Sequence, residues 1–164
     1  MPIEQVIITW AHLVSAAIWV GGSLFIGVVL APILKTMSFS LEERLQMMIK
    51  VGRRFNKIAI PSLIILIGSG LYQSHQILLS IDYLSTSSYG IYLVIKIIMV
   101  IALIITYVVH VRIIRKDVEE QIISNQIPKI QIQKLRTRII VLGQITVVLS
   151  IAILFMASLL DSGA

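Results

Sequence analysis

SYGIYLVIKIIMVIALIITYVVHV, residues 88–111, is the stretch that decides the fold. Apart from His110, its one ionisable group of strong character is Lys96, and it ends at the basic residues Arg112, Arg115 and Lys116. A helix needs about 20 apolar residues to cross roughly 30 Å of hydrocarbon, and a barrel strand needs only about 10. The run is long enough for the helix and far too long for the strand. Inside lipid only these two structures satisfy every backbone polar group, so the run reads as a transmembrane helix.

Three more runs of the same kind flank it, at about residues 6–34, 58–79 and 139–160. The chain has 164 residues, 57% of them hydrophobic, with a mean hydropathy of +0.96. A soluble domain of that size could not keep so apolar a surface in water. The predicted fold is all-α: one domain over residues 1–164, a polytopic membrane protein with four transmembrane helices in an antiparallel bundle. The first run exceeds what a straight span needs, so it should tilt or project beyond the bilayer.

Charge then sets the orientation. Thirteen of the fourteen Lys and Arg fall in two stretches between the runs, Lys35 to Lys57 and Arg112 to Arg138. The other non-apolar stretches carry Glu4, Asp82 and Asp161 and no basic residue. Basic connections stay in the cytoplasm, which places both termini outside and the chain in the cytoplasmic membrane. The net charge of +6 is accounted for in this way and is no sign of nucleic-acid binding. No Lys or Arg precedes the first run, which is also longer than a signal core, so a cleavable signal peptide is not expected. The absence of cysteine excludes disulfides, thiolate metal sites and iron–sulfur clusters.

The basic connections have structure of their own. Ser40-Leu41-Glu42-Glu43 has capping-box spacing. Leu41, Leu45, Met48, Ile49, Gly52 and Phe55 follow at helical intervals. This reads as an amphipathic helix along the inner membrane surface, able to run straight into the second span. Pro61 should loosen or kink that span. The second connection extends the third helix inward through Glu120, breaks at Pro128, and approaches the fourth span.

Ionisable residues at membrane depth are functional candidates. Counted from the basic boundaries, His12 lies ~34 Å along the first helix, His75 ~27 Å along the second, Lys96 ~24 Å along the third and His110 only ~3 Å. His12, His75 and Lys96 therefore gather toward the outer side, with His110 at the inner boundary near Gln144. His12, Ser15, Ala16, Trp19, Gly22 and Ser23 share one stripe of the first helix. Gly68, Tyr72 and His75 share one on the second, and Lys96, Met99, Leu103, Thr106 and His110 one on the third. Small and polar stripes should face the interior. Two imidazoles at similar depth suit a transition metal or both axial positions of a haem. A buried ammonium needs an anion; Asp82, Asp161, a bound anion or a haem propionate would serve Lys96. The methionines are soft ligands of the kind Cu(I) prefers, but their spacing makes no dense relay. No paired intramembrane carboxylates, phosphate-cradling loop or nucleophile constellation supports hydrolase or transferase chemistry.

AHLVSAAIWVGG (residues 11–22), GRRFNKIA (52–59), GSGLY (68–72), SSYGIYLVIK (87–96) and KLRTRIIVLG (134–143) together resemble the copper-resistance D (CopD) membrane domain. Several modest motifs in the right order on the right helices make the likeness specific. It implies copper handling in the cytoplasmic membrane, as import or resistance, and singles out His12, Trp19, Gly21, Gly22, Tyr89, Gly90 and Lys96. His110 also gives a weaker resemblance to HemJ-like membrane proteins, which bind haem b; in that reading His12 and His75 are axial ligands and Lys96 pairs with a propionate. Under the copper reading His12 and His75 are ligands, with His110 a third candidate. Trp19, Gly21, Gly22 and Tyr72 then shape the cavity, and Lys96 sets its electrostatics. A homo-oligomer, a larger membrane complex to which the chain is an accessory subunit, and an external copper-binding protein are the partners to be considered beside the lipid bilayer.

Overall fold

The computed structural model describes residues 2–114, 120–121, 124 and 128–162. Among these the chain is helical with no strand. Four helices are long and apolar enough to cross a membrane, at Ile3–Thr36, Leu41–His75, Ser88–Ile113 and Ile130–Asp161. Three of them contain an apolar run read from the sequence, and Leu41–His75 covers most of the run at 58–79. The predicted inward extension of the third helix falls largely on residues 115–119, outside the described residues.

The first span is three segments in one rod: α1 (Ile3–Leu24), a π-helical turn (Phe25–Leu30) and α2 (Ala31–Thr36). Pro32 explains the wide turn. It has no N–H for the Val28 carbonyl and its ring crowds that carbonyl, so the preceding turn opens to the i→i+5 pattern.

The second span is longer than expected. Helix α3 runs unbroken over Leu41–Leu78, with Pro61 inside it. Ser40 starts it with the expected capping box: Glu43 N–H donates to Ser40 Oγ at 3.1 Å, and Ser40 N–H donates to the Glu43 carboxylate at 2.7 Å. The amphipathic first half therefore runs straight into the span, as its sequence allows. Its apolar face is covered by protein. Leu45 and Ile49 are fully buried against Ile114, Ile132 and Ile139 of the third and fourth spans. Packed side chains fill space more completely than mobile tails, so these residues gain more contact against protein than they lose with lipid.

A short helix α4 (Ile81–Thr86) forms the connection that carries Asp82. Helix α5 (Ser88–Ile113) follows, its first turn capped by Ser87 Oγ, which accepts from Gly90 N–H at 2.9 Å. Helix α6 (Lys129–Asp161) begins just after Pro128, ten residues before the apolar run itself. Helix α1 packs chiefly on α3, and α5 on α6. At mid-depth Trp19, Ala59 and Leu103 form a buried knot with Phe55, Tyr107 and Leu149 around it. Uncovered apolar side chains, including Ile64, Ile98, Ile105, Val148 and Phe155, point away from the packed core. That surface implies contact with a lipid bilayer.

Candidate functional site

Two cavities lie between the four long helices, and their linings share no residue. One has a volume of about 380 Å³ and is lined by His12, Trp19, Gly70, Ser74, Lys96 and Ser150 among mainly apolar neighbours. The other, about 260 Å³, is lined by Asn56, Tyr107, His110 and Gln144 and reaches the basic residues Lys35, Arg44 and Arg136. On every long helix the second set lies nearer the basic connections.

An aromatic layer stands between the cavities. Trp19 is 3% exposed and meets Tyr107 edge to face, with ring centroids 4.8 Å apart at 73°. Each ring is pinned by a hydrogen bond. Trp19 Nε1–H donates to Ser150 Oγ at 3.0 Å, and Tyr107 O–H donates to Asn56 Oδ1 at 2.8 Å. Trp19 faces the His12 cavity and Tyr107 the His110 cavity.

Serines set the ring orientations by one common device. In a helix a Ser or Thr hydroxyl can give its single proton to the carbonyl four residues back, which leaves its oxygen as an acceptor. Ser150 O–H donates to the Thr146 carbonyl at 2.7 Å, so its oxygen receives the indole N–H. Ser69 O–H donates to the Ile65 carbonyl at 2.5 Å, and Ser69 Oγ lies 2.7 Å from His12 Nδ1. If the serine proton stays on the Ile65 carbonyl, Nδ1 is the donor of that bond. The other ring nitrogen, Nε2, is then the one with a free lone pair. The edge of the His12 ring lies on Gly70, where a methyl group would come within 3.6 Å of Cε1.

Lys96 lines the same cavity as His12. Neither Asp82 nor Asp161 forms an ion pair with it, and it has no such partner among the described residues. Among those residues there is also no group of three or more His, Asp or Glu placed to hold a metal ion. His12 is the cavity's one imidazole.

The first-helix and third-helix stripes face the interior as expected: Ser15, Trp19 and Leu103 are buried, and Lys96, Met99, Thr106 and His110 are half-buried. The second-helix stripe does not. Gly68, Tyr72 and His75 are exposed, and His75 lines neither cavity. Its Nδ1 is 2.9 Å from the Tyr72 carbonyl and its ring leans on the Tyr72 ring. The interior face of α3 is instead Ser62, Leu66, Gly70 and Ser74, each four residues on from the last. Bulk decides this: Leu63 and Leu66 pack into the mid-depth knot and turn that side inward. His12 and His75 are thus not brought to one cavity.

His110 and Gln144 do share a lining, and His110 Cε1 would lie 3.6 Å from a methyl group at Gly143. The two first-helix glycines divide. A side chain at Gly22 would run into the Phe55 ring of α3, whereas one at Gly21 would meet nothing within 4 Å. Gly90 is buried at the start of α5, and Tyr89 is half-buried beside it without lining either cavity. Sequence reasoning did not single out Ser69, Ser150, Asn56 or Tyr107. Serine and tyrosine are unremarkable in a span, and Asn56, within the GRRFNKIA motif, was the one readable signal.

A family model described as Copper resistance protein D matches residues 49–160, more than half of the chain. No curated protein and no solved structure matches it.

Proposed function

This chain belongs to the copper resistance protein D family, and we propose that it binds copper in the His12 cavity as the metal passes the cytoplasmic membrane. The observation that carries this reading is the Ser69–His12 hydrogen bond. With Nδ1 engaged by Ser69, Nε2 of a cavity-lining imidazole is the nitrogen left to ligate a transition metal. A single imidazole holds a metal loosely, which suits cargo more than a resident cofactor. Lys96 sets the charge of the cavity. A bare cation is repelled by it, so copper arriving with anionic ligands is favoured.

Orientation follows the basic connections, with the His110 cavity facing the cytoplasm and the His12 cavity the outside. Single cysteines at Ser85 and Ser124 test this. Only Ser85→Cys should react with an impermeant reagent added to intact cells. Labelling of Ser124→Cys would invert the scheme.

The cavity itself is tested by Ser69→Ala. Removing the acceptor frees the His12 ring to change tautomer, and outer-shell partners of this type are worth at least tenfold in metal affinity. Competition of the purified protein with a Cu(I)-specific chromophoric chelator should show a loss of about tenfold. Unchanged affinity in a folded Ser69→Ala protein would sink the orienting role.

A further inference from the structure

The His110 cavity has a chemistry that copper handling does not use. Among the described residues three permanent cations line it, and each comes from a different helix: Lys35 from α2, Arg44 from α3 and Arg136 from α6. Among the described residues no Asp or Glu lines it. The general preference for basic connections in the cytoplasm explains why these charges lie on this side. It does not explain their convergence on one cavity.

Asn56 supplies an independent observation. It is 9% exposed and lines the cavity. Its Oδ1 is occupied by the Tyr107 hydroxyl. Its amide N–H₂ has no partner among the described residues. With its oxygen already engaged, Asn56 has both amide hydrogens left to offer an acceptor oxygen arriving in the cavity. Arg44 is held in advance. Its Nε–H donates to the Phe39 carbonyl at 3.0 Å and one terminal nitrogen donates to the Met37 carbonyl at 2.9 Å. That leaves further N–H groups of the fork for a ligand, on a side chain already ordered.

Much of the rest of the wall is apolar, with Ile26, Gly27, Ile139 and Val147 beside the polar groups of Ser23, His110, Gln144 and Thr146. A ligand that fits has an anionic, acceptor-rich head and an apolar tail. We propose that this cavity binds the phosphate group of an anionic phospholipid from the cytoplasmic leaflet, with Arg44, Arg136 and Lys35 around the phosphate and Asn56 donating to one of its oxygens. Free inorganic phosphate offers the same head chemistry but gains nothing from the apolar wall. A metal cation is repelled by the three charges. The proposal is independent of copper binding in the other cavity.

Native mass spectrometry of the full-length protein, titrated with phosphatidylglycerol, phosphatidylcholine or inorganic phosphate, tests it. One phosphatidylglycerol should be retained per chain, at least about fivefold more tightly than phosphatidylcholine. Arg136→Gln should lower that preference by about fivefold, and Arg136→Lys should restore most of it. Lys35→Gln changes an exposed side chain with no packing role, so it carries the same test if Arg136→Gln does not fold; it too should weaken phosphatidylglycerol. Arg54→Gln removes an exposed cation outside the lining and should change nothing. Equal retention of the two lipids overturns the proposal, as does an Arg54→Gln effect as large as that of Arg136→Gln. Displacement of the lipid by millimolar inorganic phosphate would make this a site for a soluble anion and would equally overturn it.

Discussion

Replacing Trp19 with alanine should destabilise the protein by about 3–5 kcal/mol, the usual cost of truncating a buried tryptophan. The indole is 3% exposed and sits in the mid-depth knot with Ala59 and Leu103. Truncation removes its edge-to-face contact with Tyr107 and strips Ser150 Oγ of its donor. It also takes away the ring that separates the two cavities, so the void it leaves joins spaces that are already present and the helices have little to collapse onto. Trp19→Phe is the control. It keeps the partition and should cost about 1 kcal/mol for the lost hydrogen bond, plus a small packing term. Unfolding in mixed micelles followed by far-ultraviolet circular dichroism measures both. A Trp19→Ala protein as stable as Trp19→Phe would mean that the layer does not hold the bundle together.

His12→Ala should lower copper retained by the purified protein at least about tenfold, more than the loss from its orienting serine alone. The variant removes the one imidazole of its cavity. His110→Ala should leave copper binding near the wild-type level, because His110 lines the cavity edged by Lys35, Arg44 and Arg136. His75→Ala should also leave it unchanged, since that ring is exposed and lines neither cavity. Metal analysis after gel filtration in detergent distinguishes the three variants. Equal losses in His12→Ala and His110→Ala would move the copper site out of the His12 cavity.

The four spans were legible because hydropathy over some twenty residues is a long, redundant signal, and helix is the form it must take in lipid. The capping box at Ser40 was legible for a different reason. It is local, and Ser40 and Glu43 satisfy each other without help from the rest of the chain. What the sequence hid was rotation and length. The Gly68, Tyr72 and His75 stripe is polar and small, which predicts an inward face. The structure turns α3 by its bulkier neighbours Leu63 and Leu66 instead. Likewise the apolar face of Leu45 and Ile49 reads as one for the membrane surface, since nothing local says that Ile114, Ile132 and Ile139 come to meet it. His12, Trp19 and Lys96 were found as candidates because intramembrane polar and aromatic residues are few. The groups that orient them, Ser69 and Ser150, were invisible because each acts across a helix pair and spends its own proton on its own helix.

The proposed copper route requires the metal to meet the His12 imidazole. X-ray absorption spectroscopy of the Cu(I)-loaded, detergent-purified protein reads the metal's neighbours directly. The expected spectrum carries the multiple-scattering signature of an imidazole ring, present in wild type and His110→Ala and absent in His12→Ala. An imidazole signature that survives in His12→Ala and vanishes in His110→Ala would contradict the account.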